Sequence, residues 1–196
     1  YYINQLLLKL IMSLHIITGP MFSGKTTKLI HKMNQLNSID IPFICYYHSL
    51  DNRYGENAIY SHNSISFPSV STDNLMSMIN TDKYLSSKYI FIDEAQFFDE
   101  SIIDFVKLST DTHNKHVYIS SLNGDSNRNH IGHIHHLYPL TDSIEFISGF
   151  CYYCKDMTPS IFSKKIIHNT SQICVGTENE YVPVCRNCYL KFKLHI

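Results

Sequence analysis

Apolar and polar positions along this chain fall into short blocks whose period switches back and forth between that of a strand and that of a helix. Leu14 to Thr18 is a compact apolar-rich run of strand length, whereas after Lys25 the residues Leu29, Met33 and Leu36 recur at i, i+4 and i+7, the spacing of a helix with one buried face. Ile41 to Tyr47 predicts a second strand, Asn74 to Asn80 a short helix, and KYIFID, Lys88 to Asp93, a third strand. Ile102, Ile103 and Val106 predict a helix that Asp99 can cap; His116 to Ser120 and Ile144 to Ile147 predict strands four and five. Strands alternating with helices imply an α/β fold, a parallel sheet covered on both faces with ligands at the carboxyl ends of its strands. Between strands two and three, the polar stretch His48 to Ser71 reads as a loop, long enough to be functional or mobile.

Length and composition narrow the class. A chain of 196 residues, 44% hydrophobic and 17% charged, suits one globular α/β domain with a small appendage. Its net charge of −1 supplies no general attraction to a polyanion, so nucleic acid is not an expected partner. The N-terminal run YYINQLLLKLIMSLHII is broken by Gln5, Lys9 and His15, too polar for a membrane span and without the features of a signal peptide. The expectation is a soluble, cytoplasmic protein with no membrane partner. Met12 stands just before the first strand, so residues 1–11 are expected to lie upstream of the natural start.

The chemistry is concentrated in three places. GPMFSGKT, Gly19 to Thr26, satisfies G-x-x-x-x-G-K-[ST] between a strand and a helix, the context of a phosphate-binding loop. In such a loop the backbone of Gly19, Pro20, Met21, Phe22, Ser23 and Gly24 wraps an anion, Lys25 reaches the β/γ-phosphates, and the Thr26 hydroxyl binds Mg²⁺. A hard cation needs a second oxygen ligand from a neighbouring strand end, and Asp93 fits. Glu94 follows it and cannot point the same way along an extended chain, which leaves it for a substrate hydroxyl as general base.

Four of the six cysteines form two knuckles, Cys151-x-x-Cys154 and Cys185-x-x-Cys188, the pattern of a structural zinc site. A redox CxxC or a pair of disulfides is the alternative use of the same residues. Cys45, inside an apolar run, reads as a small buried hydrophobe. The domain boundary is expected near residue 149, giving a nucleotide-binding domain over 12–148 and a zinc lobe over 149–196. The histidine-rich HIGHIHH, His130 to His136, has no cysteine or carboxylate beside it and reads as surface or subunit-contact histidines titrating near neutrality.

GPMFSGKTT and IDEAQFF followed by two CxxC knuckles resemble the cytosolic-type (type II) thymidine kinases, a family shared by animals, bacteria and large DNA viruses. Further matches are DNRYG at Asp51 to Gly55, SLNG at Ser121 to Gly124 and YVPVCRNCY at Tyr181 to Tyr189, so the resemblance runs from about Leu14 to Leu190. The usage of Asn, Ile and Tyr fits an AT-rich genome such as a viral one. The resemblance implies a RecA-like P-loop domain with a zinc lobe carrying a lasso loop, and ATP-dependent phosphorylation of thymidine to dTMP for nucleotide salvage and DNA synthesis.

It further implies that Gly19 to Thr26, with Asp51, Arg53, Asp93 and Gln96, binds ATP, and that Lys25, Arg53 and Glu94 are catalytic. Phe97 would lie near the thymine ring. The lasso residues Gln172, Ile173, Cys174, Val175 and Gly176, with Tyr181, would read the base largely through main-chain groups. ATP, Mg²⁺ and structural Zn²⁺ are the implied cofactors, dTTP a feedback inhibitor and a homotetramer the assembly. One departure stands out: the family places an aromatic ring where LNGDSNR puts Ser126, and a lost ring weakens base stacking by about 1–3 kcal/mol. Two rival classes are weighed against the kinase. DEAQ also resembles the acidic box of nucleic-acid-stimulated P-loop ATPases, but those generally need two such domains. A non-catalytic nucleotide-binding module is at odds with the presence of Lys25, Thr26, Asp93 and Glu94 together.

Overall fold

A computed structural model describes residues 12–51, 58–60, 66–166 and 180–191. The N-terminal 1–11, Arg53 and the segment Gln172 to Gly176 lie outside the described residues. In chain order the strands are β1 (Ser13–Gly19), β2 (Phe43–His48), β3 (Ala58–Tyr60), β4 (Ser66–Pro68), β5 (Val70–Thr72), β6 (Tyr89–Asp93), β7 (His116–Leu122), β8 (Ser143–Phe146), β9 (Phe162–Lys165) and β10 (Tyr181–Val184). The helices are α1 (Lys25–Asn37), α2 (Asp82–Ser86), α3 (Ser101–Lys107) and α4 (Arg186–Lys191), with shorter 3₁₀ turns between them.

Six strands form the central sheet in the order β5-β2-β6-β7-β1-β8, and its pairings are all parallel. The period of two along each strand divides the core between the two faces. Leu14, Ile16, Ile44, Tyr46, Ile90, Ile92, Val117 and Ile119 share one face with Ile102, Phe105 and Val106 of α3. Ile17, Cys45, Tyr47 and Phe91 take the other, beneath Leu29, Ile30, Met33 and Leu36 of α1. Both faces are covered, so parallel strands that read as nearly continuous apolar runs are what burial requires. Cys45 is buried among these residues, and burial raises its thiol well above the usual range, which suits an inert packing role.

Parallel registration puts the carboxyl ends of β1, β6 and β7 at one edge, with Gly19 beside Leu122 and Tyr47 beside Asp93. The expected strands and the two longer helices are present within a residue or two. Two expectations need correction. The described parts of His48 to Ser71 contain β3 and β4, paired antiparallel, and β5, which extends the main sheet beyond β2. Three-residue strands carry too little alternation to be seen in sequence; they exist because Ile59 and Phe67 pack against the α1 face. In place of one helix over Asn74 to Asn80 there is a single 3₁₀ turn, Leu75–Met78, and then α2, whose N-terminus Thr81 caps by accepting the Tyr84 amide. Leu75 and Tyr84 are fully buried, so tertiary packing outweighs the weak local helical spacing.

The C-terminal segment has a core of its own, Cys151, Val182, Val184, Cys185 and Cys188. There β9 and β10 pair antiparallel, and α4 begins between the cysteines of the second knuckle.

Candidate active site

Gly19 ends β1 where a larger residue has no room: a Cβ there would lie 2.1 Å from the Ile147 carbonyl oxygen. The loop then turns through Phe22 at φ 62° and Gly24 at φ 89°, left-handed conformations that bend the backbone around a concave path before α1 begins at Lys25. Lys28 donates its amide to Gly24, closing the first helical turn. Lys25 is buried, and its ammonium donates to the Pro20 carbonyl at 2.8 Å, across the loop that it closes. The Ser23 hydroxyl oxygen is buried and finds no hydrogen-bond partner among the described residues. A donor held there without an acceptor, at a helix N-terminus beside a lysine, is chemistry that fits a phosphate oxygen.

The facing half comes from β6 and β7. Asp93 is buried at the end of β6, and both its carboxylate oxygens accept from the Thr26 hydroxyl, at 3.2 and 3.0 Å. Ser120 on β7 also donates to Asp93, and its oxygen receives the Glu94 amide at 3.4 Å. A hydroxyl and a carboxylate meeting on one spot are a donor set that suits Mg²⁺. Burial first, then the neighbouring Glu94 and Asp51, raise the Asp93 carboxyl to about 7. Asp51, at the start of the segment containing Arg53, is thus near enough to be felt by Asp93.

This displacement has a testable sign. A folded-state value of about 7 lies above the ordinary 3.8, so the folded protein keeps a proton that the unfolded chain releases. The resulting stability is full below about pH 4 and is lost as pH rises through 7. Asp93→Asn removes the buried charge and is expected to raise the melting temperature at pH 8, in magnesium-free buffer, by about 5 °C or more. The gain should shrink by pH 5; calorimetry showing a gain independent of pH would contradict the assigned burial cost.

Glu94 departs from the extended chain that its position after a strand suggests. Its φ of 48° and ψ of 45° are left-handed, and it opens the 3₁₀ turn Ala95–Phe97. The two neighbouring carboxylates are therefore separated by a backbone kink rather than by strand alternation. A non-glycine residue in this conformation is uncommon and must be held by its surroundings. Gln96 supplies the hold: it is buried, its side-chain amide donates to Glu94, and its Oε1 accepts the Leu122 amide at 3.1 Å. Phe97 is half-buried, its ring 6.4 Å from that of His48.

The remaining expected residues are distributed around this edge. Ser126, half-buried in the loop after β7, offers its carbonyl to the Tyr189 hydroxyl at 2.8 Å. Tyr181 is buried at the start of β10 with the Lys165 ammonium 5.6 Å from its ring centre. Cys151, Cys154, Cys185 and Cys188 bring their sulfurs within 4.8 Å of one another, a donor set that can hold a tetrahedral zinc ion. Burial opposes ionisation of Cys151, yet backbone hydrogen bonds around it lower its thiol to about 6, while burial and the neighbouring sulfurs push Cys188 up to about 12 and Cys154 is also raised, so without a metal the cluster does not ionise as a whole. Among the described residues no other group of three or more His, Cys, Asp or Glu converges in this way. His130 and His135 instead stack with their ring centres 4.3 Å apart.

Three contacts at this edge were not anticipated. Ser120 joins Asp93 to Glu94, Ser163 of β9 accepts the Met21 amide at 2.9 Å, and the Asn123 side-chain amide donates to the Ile161 carbonyl at 3.1 Å. In HVYISSL, Ser120 is one of a pair of serines near the end of the strand, with nothing in the sequence to set it apart.

Comparison with known proteins agrees with this geometry. The family model described as thymidine kinase matches residues 12–189. The chain is 33% identical over 182 residues to a thymidine kinase of Fowlpox virus, covering 90% of this chain and 96% of that protein. It is 37% identical over 185 residues to a thymidine kinase of Amsacta moorei entomopoxvirus, covering 91% and 98%. A thymidine kinase of the bacterium Bacteroides thetaiotaomicron is 32% identical over 178 residues, covering 91% and 87%.

Proposed function

The chain belongs to the thymidine kinase family, and we propose that it transfers the γ-phosphoryl group of ATP to the 5′-hydroxyl of thymidine, giving dTMP and ADP. The observation that carries this reading is the meeting of Thr26, at the head of α1, with Asp93, at the end of β6, one residue before Glu94. A phosphate-binding loop and an acid able to take an alcohol proton then share one sheet edge.

In this reading Gly19 to Thr26 grip the ATP phosphates, with Asp51, Arg53 and Gln96 completing the nucleotide side. Mg²⁺, held by Thr26 and Asp93, would neutralise charge on the phosphates. Lys25 and Arg53 stabilise charge on the moving phosphoryl group, Arg53 with the fixed fork of its guanidinium. Glu94, oriented by Gln96, accepts the proton of the 5′-hydroxyl as the new P–O bond forms. Phe97, Ser126, Gln172 to Gly176 and Tyr181 surround the nucleoside. Zinc is assigned to Cys151, Cys154, Cys185 and Cys188, feedback inhibition to dTTP and the assembly to a homotetramer.

The test is to supply ATP and Mg²⁺ with thymidine, with other nucleosides, or with single-stranded DNA. ADP release that depends on thymidine and yields a 5′-monophosphate is expected. Release that depends on DNA, or none under any condition, would remove the assignment. No helix among the described residues is long and apolar enough to cross a membrane.

A further inference from the structure

We propose that Tyr189 is a positioning residue for nucleoside binding, acting through a hydrogen bond that ties the loop after β7 to the cysteine lobe. The proposal rests on the reading of Ser126 as a wall of the nucleoside site. The loop concerned runs along the sheet edge that carries the site. At its start the Asn123 amide donates to the Gly19 carbonyl at 3.3 Å, against the phosphate-binding loop. At its far end Gly132, at φ 57°, lies on the Gln96 backbone so closely that a Cβ would fall 2.3 Å from the Gln96 carbonyl oxygen. The residues between these anchors run from the phosphate side to the turn that presents Glu94.

Within the loop, Asp125 organises the backbone. Asp125 accepts the amides of Asn127 and Asn129 at 2.9 and 2.7 Å, and its carbonyl takes the Arg128 amide at 3.0 Å. These bonds give the loop its shape, and at its start the Asn123 side-chain amide ties it to the Ile161 carbonyl at 3.1 Å. Tyr189 adds a second tie to the cysteine lobe, at Ser126 itself. Its hydroxyl donates to the Ser126 carbonyl at 2.8 Å, which sets the orientation of the peptide carrying Ser126. The phenol is itself well held. The Arg128 guanidinium lies 4.6 Å from its ring centre, the Lys164 ammonium 5.3 Å, and the Phe162 ring packs against it at 5.2 Å.

Tyr189 follows Cys188 directly, its amide donates to the Cys185 carbonyl at 2.9 Å, and its carbonyl receives the Lys164 ammonium at 3.1 Å. The cysteine cluster thus fixes α4, α4 fixes the phenol, and the phenol fixes Ser126. Arg128, at φ 69°, closes the circuit from the loop side, its guanidinium 4.6 Å from the Tyr189 ring centre and 5.6 Å from that of Phe162.

Tyr189→Phe keeps the ring and its packing and removes one hydrogen bond. Losing a bond of this kind from a loop that shapes a binding site is expected to weaken thymidine about five- to tenfold. The rise should appear in KM for thymidine and in its dissociation constant by calorimetry, with kcat and KM for ATP within about twofold of the parent. Arg128→Met, which leaves the lobe's own residues in place, should shift the same two constants in the same direction. Zinc content and melting temperature are measured alongside. Unchanged thymidine constants in Tyr189→Phe would overturn the proposal. So would a general fall in zinc content, stability and every kinetic constant together, because that is the signature of a merely structural tyrosine. A parent protein with no thymidine-dependent turnover would instead overturn the functional reading itself, before any variant is compared.

Discussion

Cys185→Ser is expected to reduce bound zinc from about one ion per chain to nearly none and to unfold the described parts of the C-terminal segment, 151–166 and 180–191. Among the described residues, little else holds that segment together. Its core consists of Val182, Val184 and the cysteines themselves, with Tyr153, Phe162, Ile166 and Tyr189 half-buried around them. A lobe of that size cannot offset its chain entropy by burial alone and needs a staple. A structural zinc site contributes about 10–16 kcal/mol of apparent binding free energy at neutral pH, more than the whole stability of a typical domain. The loss should not remain local. Ser163 accepts the Met21 amide and Tyr189 donates to Ser126, so both sides of the cleft lose a partner when β9 and α4 come apart. Elemental analysis and limited proteolysis across 150–191 are the measurements, with thymidine turnover falling more steeply than nucleotide binding. Unsubstituted protein, freshly purified and free of zinc, would refute the site.

The second large effect is chemical rather than structural. Glu94→Gln should lower turnover by about 10²–10⁴ while leaving ATP affinity within a few-fold of the parent. The substitution nearly preserves shape: the new side chain still has an oxygen to accept from Gln96, so the left-handed backbone and its support persist. What disappears is the ability to take a proton from an alcohol. The acidic limb of the pH–rate profile should vanish with it, since that limb reports the ionisation of the base. Parent-like turnover in this variant would exclude Glu94 as base. The contrast with Asp93→Asn is informative. That exchange is expected to stabilise the metal-free protein at pH 8, because Asp93 is fully enclosed and Glu94 is not.

Residues that act through local geometry were legible in the chain. The phosphate-binding loop is contiguous, so its glycines, lysine and threonine announce themselves at fixed offsets. The knuckles do the same, and their four sulfurs converge as that spacing requires. Asp93 and Glu94 could be assigned to different directions from adjacency alone, but the cause was misread. A kink at φ 48°, braced by Gln96, separates them.

Where reading failed, the signal was spread thin. The strands between His48 and Ser71 are three residues long, and they form because distant apolar residues cover Ile59 and Phe67. Ser120 looked like any serine in a strand. Only parallel pairing of β6 with β7 sets it beside Asp93.

By itself the amino-acid sequence determined the period of each strand and helix, the phosphate-gripping turn, the four metal-ready thiols and the presence of two acids in succession. These depend on covalent neighbours and on backbone periodicity, which act over a few residues. Tertiary structure alone decided the strand order, the meeting of Ser120 with Asp93 across 27 positions, and the bond from Tyr189 to Ser126 across 63. Such contacts arise only when burial of the apolar faces brings remote segments to one sheet edge, and no spacing within the chain encodes that distance.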